Sequence, residues 1–233
     1  MKSLAIMQPY FFPYIGYFQL INAVELFIVY DNIKYTKKGW INRNRILQNG
    51  KDVVFSVPLK KDSDFLDIRN REISPAFRKD KLLNQIREAY RRSPYFEQTF
   101  SLVERIVLEK ETNLFRFILN AIRETCACLA IRTEIVVSSS VQIDQSLSGK
   151  AKVIALCKRV GADVYINAVG GQDLYSKEEF GRNGISLKFL RTKSFEYKQF
   201  DGEFVPWLSI VDVMMFNSPD EIRECLESKY ELI

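Results

Sequence analysis

The 233-residue chain predicts an α/β fold: a Rossmann-like parallel sheet with a β-hairpin and helical insertion. Three observations carry this. Short apolar runs suited to buried strands alternate with amphipathic stretches of helical period. The first run breaks at a loop bearing two prolines, passes through a short helix and re-enters a strand, the β-loop-α-β opening of a parallel sheet. A polar loop then follows a strand three times along the chain.

The elements follow in order. Leu4, Ala5, Ile6 and Met7 form the first strand, broken by Pro9 and Pro13. Residues 14–23 place Ile15, Phe18, Leu20, Ile21 and Ala23 as a short helix would, and residues 26–30 are a second buried strand ending at Asp31. Asn49-Gly50, the commonest tight-turn dipeptide, joins two strand-like runs within residues 43–58 and predicts a hairpin. Helices are expected over 76–92, stopped by Ser93-Pro94, over 95–110 and over 114–130. In the last, Leu114, Phe117, Ile118, Ala121, Ile122 and Thr125 share one face. Residues 134–137 read as a strand, 150–160 as a helix capped by Gly161, and 164–166 and 187–190 as further strands. Ser218-Pro219-Asp220-Glu221 opens a final helix with an N-cap, a proline at the first position and a glutamate three residues on. The expectation is a single α/β domain over 1–233, with the hairpin and helices of roughly 43–130 inserted into it.

Composition narrows the chemistry. With 47% hydrophobic and 27% charged residues the chain has the makeup of a globular protein with a packed core. A net charge of +5, from 34 basic and 29 acidic residues spread along the chain, does not call for nucleic acid. The basic clusters at Arg69, Arg71, Arg78, Lys79 and Lys81 and at Arg87, Arg91 and Arg92 are interleaved with acids and read as a solvated helix face in preference to a phosphate-binding patch. There is no histidine, and Cys126, Cys128, Cys157 and Cys225 make no C-x-x-C pair, so zinc sites and histidine-based catalysis are excluded within one chain. Free cysteines, an opening Met1-Lys2-Ser3 that runs straight into an apolar strand, and no apolar run of about 20 residues predict a cytoplasmic protein without a membrane span.

Polar residues beyond the needs of folding gather in residues 8–13, 31–44 and 167–175. In a parallel sheet such loops converge on one edge. Gln8, Pro9 and Tyr10 precede a helix whose first-turn N–H groups favour an anionic ligand, Gly16 permits close approach, and Tyr14 and Tyr17 lie at i and i+3. The aromatics Phe11, Phe12 and Phe18 read as core or dimer interface, which leaves a homodimer open. Lys34, Lys37, Lys38, Trp40, Asn42, Arg43, Asn44 and Arg45 crowd a short polar stretch whose Asn and Arg donors beside Trp could cradle phosphate or sugar, or which protects a hairpin edge by charge. Arg43 and Arg45 alternate onto one face. Asp31 is a candidate for a ligand hydroxyl or a metal, or simply caps the next turn. Ser139 belongs to a serine run after a strand, and Gly171, Asp173 and Tyr175 to a loop without Walker or dinucleotide fingerprint. Ser209 and Asp212, near Trp207, either close the site or cap a helix.

The run Met7-Gln8-Pro9-Tyr10-Phe11-Phe12-Pro13-Tyr14-Ile15-Gly16-Tyr17-Phe18, with Tyr30-Asp31 and Trp40-Ile41-Asn42-Arg43-Asn44-Arg45-Ile46, resembles the opening of the WbqC-like family. Gly161-Ala162-Asp163-Val164-Tyr165 and Leu208-Ser209-Ile210-Val211-Asp212 extend the likeness over most of the chain. The resemblance implies a role in bacterial O-antigen-type surface-polysaccharide clusters. More distantly, Tyr14-Ile15-Gly16-Tyr17 is similar in place and spacing to the H-x-G-H motif of nucleotidylyltransferases and class I aminoacyl-tRNA synthetases, with tyrosines where those enzymes have histidines. A neutral phenol donates a hydrogen bond but no positive charge, so Lys37, Lys38, Arg43 or Arg45 would have to supply it.

The function expected is transfer of an acyl, aminoacyl or nucleotidyl group onto a nucleotide- or lipid-linked sugar, with Tyr14, Tyr17 and Asp31 nearest the reacting group. The rival is a non-catalytic nucleotide- or sugar-binding scaffold on the same fold. The expected partner is a small phosphate-bearing substrate; no cofactor is certain, a nucleotide being the candidate, and no metal is called for.

Overall fold

The computed structural model describes residues 1–63 and 65–233. Its main sheet uses β1 (Ser3–Met7), β2 (Leu26–Val29), β5 (Glu134–Val137), β6 (Val164–Ala168), β7 (Ser186–Thr192) and β8 (Tyr230–Leu232), in the order β5-β2-β1-β6-β7-β8. The first five are parallel, and β8 runs antiparallel along the β7 edge. The fold is thus mixed α/β with a largely parallel sheet and helical insertions, as the alternation of apolar runs predicts. The chain works outward from β1 through β2 to β5, then crosses back to β6 and on to β7. Strand order reverses between β1 and β6, and there the loops at the strand C-terminal ends part to opposite sides and leave a crevice.

Period-2 alternation in the strands assigns the two faces of the sheet. Leu4, Ile6, Leu26 and Ile28 pack with Val153, Leu156 and Cys157 of α5 (Gly149–Val160) and Phe180 of α6 (Lys177–Arg182). Ala5, Phe27 and Val29 point the other way, into a larger core shared with α1 (Ile15–Asn22) and with α4 (Leu114–Cys128), α7 (Ile210–Phe216) and α8 (Pro219–Ser228). The face of α4 read from the sequence is the buried one, from Leu114 to Thr125.

Between β2 and β5 lie the hairpin β3 (Arg43–Gln48) and β4 (Lys51–Ser56), then α2 (Lys79–Tyr90) and α3 (Phe96–Leu108) ahead of α4. Asn49 and Gly50 turn the hairpin with φ of 52° and 72°, both in the left-handed region that a two-residue turn of this hand requires. Gly161 ends α5 at φ 68°. Ser218 and Glu221 form a capping box on α8, with Pro219 at its start. Three elements had no sequence forecast: α6, α7 and β8. They are six, seven and three residues long, too short for a period to declare itself, and α7 is buried on nearly every side, Asp212 included.

Candidate functional site

A cavity of about 1100 Å³ opens at the C-terminal ends of β1 and β6. Its floor is Ile6 and Met7. One wall is the first loop, through Gln8, Tyr10 and Tyr14, with Gly16 and Tyr17 from the first turn of α1. The opposite wall is Asn167, Gly171 and Tyr175 after β6, and a third side comes from Asn32, Lys34, Asp67, Arg69, Ser139 and the start of α5. Two of the three loops singled out from sequence therefore meet, and the third contributes its beginning rather than its basic middle.

Proline at positions 9 and 13 keeps the first loop from continuing β1 or starting α1 early, so the chain turns sharply and α1 begins with its N-terminus over the cavity. Neither α1 nor α5 has a side-chain N-cap: Tyr14 and Ser148 hold extended backbone there but make no capping bond. Apart from the Tyr17 amide, which returns to the Tyr14 carbonyl at 3.1 Å, their first-turn N–H groups are left for a ligand or water, at the positive ends of two helix dipoles. Gly16 has a packing reason to be glycine, since a Cβ there would lie 2.3 Å from the Tyr14 ring and 2.4 Å from Thr192 Oγ1. Gly171 has another: its Cβ would meet Asn167 Nδ2 at 2.3 Å.

Among the described residues, the charged lining is Lys34, Arg69 and Lys152 with Asp67. Lys152 is the most confined of these. Its Nζ donates to the carbonyl of Asn32 at 3.1 Å and lies 5.6 Å from the Tyr30 ring centroid. Burial lowers its pKa below the ordinary lysine range, against the pull of Asp67 and Asp31. Arg69 pairs with Asp67 at 3.6 Å, its side chain half-exposed. The phenols are held neutral: burial raises the pKa of Tyr10, Tyr14 and, most strongly, Tyr17. Tyr17 donates its proton to the Gln8 carbonyl at 2.9 Å and stacks at a tilt on Tyr10. Tyr17 can thus accept a hydrogen bond but has spent its donor.

Other candidates sit elsewhere. Both carboxylate oxygens of Asp31 are engaged, by the hydroxyls of Ser138 and Ser139 and the amide of Ser139 at 2.6–2.9 Å, in a clasp that ties the end of β2 to the end of β5 behind the cavity wall. Asn42 accepts from Tyr35 and donates to the Val57 carbonyl, and Asn44 donates to the carbonyls of Phe11 and Phe12. Arg43 donates to the carbonyls of Gly39 and Lys38. Arg43 and Arg45 do share a face, both lying over the Trp40 ring at 5.5 and 5.3 Å. Pro9 is buried beside the cavity, while Lys37 and Asp173 are exposed outside it. Ser209 caps α7 and donates to the Phe12 carbonyl, and Asp212 is buried beneath, accepting from Tyr90, Tyr197 and Gln199.

One expectation is corrected. Arg69 and Arg71 are not on a solvated helix face. They belong to a short 3-10 turn (Ile68–Asn70) and the residue after it, where Arg69 lines the cavity and Arg71 is buried, donating to the carbonyls of Ser63 and Lys60 beside the Tyr35 ring. The same crossing chain brings in Lys34, and α5 brings in Lys152. Sequence carried one faint signal for Lys152, a lysine on the apolar face of an amphipathic helix one turn from its start.

Strand order and the position of the cavity define an α/β protein of the doubly wound kind, with its pocket where the order reverses. The chain belongs to the WbqC-like protein family, whose model matches residues 8–224. It is 31% identical to the uncharacterized protein Rv1507c of Mycobacterium tuberculosis over 236 aligned positions, covering 97% of this chain and 99% of that one. No solved structure matches it. Among the described residues no helix is long and apolar enough to cross a membrane.

Proposed function

We propose that the chain is a group-transfer enzyme of bacterial surface-polysaccharide synthesis, moving an acyl, aminoacyl or nucleotidyl group onto a nucleotide- or lipid-linked sugar. The observation that supports it most is the single cavity in which two uncapped helix N-termini and Lys34, Arg69 and Lys152 meet the phenols of Tyr10, Tyr14 and Tyr17. Such a cradle suits phosphate: amides and dipoles bind its oxygens, and a partly desolvated ammonium adds a charge that water screens weakly. In the step itself the acceptor oxygen or nitrogen bonds to the transferred carbonyl carbon or phosphorus and gives its proton to solvent. The bond to the leaving phosphate breaks, and the charge that develops there is held by Lys152, Arg69 and the α5 amides. Tyr14 and Tyr17, kept neutral, orient rather than ionise. This places the phosphate charge on Lys152 and Arg69 instead of Arg43, whose donors are occupied.

Calorimetric titration with a uridine diphosphate sugar tests it. Lys152→Met and Arg69→Ala should each weaken binding about tenfold or more. Undiminished affinity in both variants would remove the cavity from the account. A binding or scaffolding role on the same fold draws on one observation: the chain has no histidine and its cavity phenols are buried, so acid–base groups are scarce. Tight nucleotide-sugar binding without turnover on any glycan acceptor would favour that role.

A further inference from the structure

A second cleft lies on the far side of Tyr14. It is lined by Tyr10, Pro13, Tyr14, Trp40, Arg45 and Trp207 and has a volume of about 370 Å³. Tyr10 and Tyr14 belong to both hollows, so the two share a wall of phenols. Both tryptophans of the chain stand at this cleft, and both are exposed, Trp40 to 40% and Trp207 to 58%. Large aromatic surface left in water at one spot, beside charged groups, marks a binding surface more often than a packing remnant.

Trp207 is also held against its conformational preference. Its φ is 59°, a left-handed backbone that a bulky residue seldom adopts. The segment is not loose. Arg45 donates to the Trp207 carbonyl at 3.2 Å, the amide of Ser209 donates to the Arg45 carbonyl at 2.9 Å, and the amide of Ile210 donates to the Pro13 carbonyl at 2.8 Å. The turn is thus pinned to both the hairpin and the first loop, and the strain presents an indole beside Tyr14, with ring centroids 6.0 Å apart. Glycine would suit this backbone better, so a tryptophan here is explained by what its ring does outside the fold. Arg45 adds polarity: its Nε is buried without a hydrogen-bond partner while its other nitrogens hold Asp52 and the Trp207 carbonyl.

Flat aromatic rings at a polar rim match a pyranose, whose axial C–H groups give it an apolar face and whose edge is hydroxyl. We infer that the Trp40–Trp207 cleft holds the saccharide acceptor, its reactive hydroxyl or amine directed past Tyr14 toward a phosphate-bearing donor in the large cavity. The inference rests on the reading of that cavity given above, and it names the class of acceptor: a glycan ring recognised by stacking, independent of its own phosphate.

With both tryptophans of the chain at this cleft, intrinsic fluorescence reports on its occupancy. The full chain is titrated with the methyl glycosides of glucose, galactose, mannose and N-acetylglucosamine, and separately with uridine diphosphate. At least one glycoside should change the indole emission saturably, and Lys152→Met should leave that response intact while weakening diphosphate binding about tenfold or more. Trp207→Gly, which relieves the backbone, should keep or raise the melting temperature yet weaken glycoside binding about tenfold, read by calorimetry. Trp40→Ala, on the facing side, should weaken it similarly and provides a second variant. If diphosphate binds and no glycoside does, the cleft is overturned as an acceptor site while the cavity stands. If glycosides bind and diphosphate does not, the donor reading falls and the acceptor role with it. A Trp207→Gly protein that is clearly less stable than the wild type would show the strained turn to be structural and overturn the inference.

Discussion

The cavity lining and the ground beneath α7 use similar residue types to opposite ends. Around Asp212, two tyrosines and a glutamine donate to one buried carboxylate at 2.6–2.7 Å, and nothing is left over for a ligand. Around Lys152, the ammonium meets one carbonyl, Arg69 meets one carboxylate at a loose 3.6 Å, and the amides opening α5 have no cap. Both regions are polar and both lie near the loops where a site was expected. What separates them is spare hydrogen-bonding capacity: a saturated network specifies the fold, and an unsaturated one can recognise something else.

The contrast can be broken from either side, and the largest effect is expected on the saturated one. Asp212→Ala strands three buried donors and should cost about 3–5 kcal/mol in urea unfolding. The same carboxyl gives a pH signature. Burial raises its pKa above the ordinary carboxylate range despite its three donors. The folded chain therefore keeps a proton that the unfolded chain has released, so this group's contribution to stability is full below about pH 4 and is lost as pH rises through the raised value. Asp212→Asn should flatten that decline in urea midpoints measured across pH.

Gly16→Ala comes next. The new methyl overlaps the Tyr14 ring and Thr192, and overpacking of this kind should cost about 1–3 kcal/mol, seen as a lowered melting temperature. On the unsaturated side, Lys152→Met should reverse the pattern, changing stability by about 1 kcal/mol or less while reducing nucleotide-sugar affinity about tenfold. Because burial lowers the pKa of Lys152, affinity in the wild type should fall as pH rises through that lowered value, earlier than an exposed lysine would produce, and Lys152→Met should lose this alkaline limb. The smallest effect belongs to Arg43→Ala. Its guanidinium is turned onto the carbonyls of its own loop, so nucleotide-sugar affinity by calorimetry should change by no more than about twofold. A loss comparable to that of Lys152→Met would mean the loop opens on binding and would erase the distinction between the two regions.

How far the site could be read beforehand follows the same line. Gln8, Tyr10, Tyr14, Gly16 and Tyr17 were legible because a strand, two prolines and a helix start in immediate succession force their loop to a sheet edge. Ser139, Gly171 and Tyr175 were legible for the same topological reason. Arg43, Asn42 and Asn44 looked like ligands in a line of text, yet their partners are backbone carbonyls of Gly39, Val57, Phe11 and Phe12, which no spacing rule announces. Lys34 stood among the polar residues of the second loop, whereas Arg69 read as part of a solvated face and Lys152 went unread, because both reach the cavity from segments far along the chain from those loops.

By itself the sequence determined the periodic and the local: apolar runs of strand length, amphipathic helices, the Asn49-Gly50 turn, the Gly161 cap, the capping box at Ser218 and the family motif. These depend on residues a few positions apart, whose energetics need no distant partner. Only the tertiary structure decided strand order, which cations share a cavity, and which polar side chains are used up inside. Hydrogen bonding between remote segments is settled by the packing of the whole chain, and a donor spent on a carbonyl 30 residues away in sequence looks in print like one still waiting for a ligand.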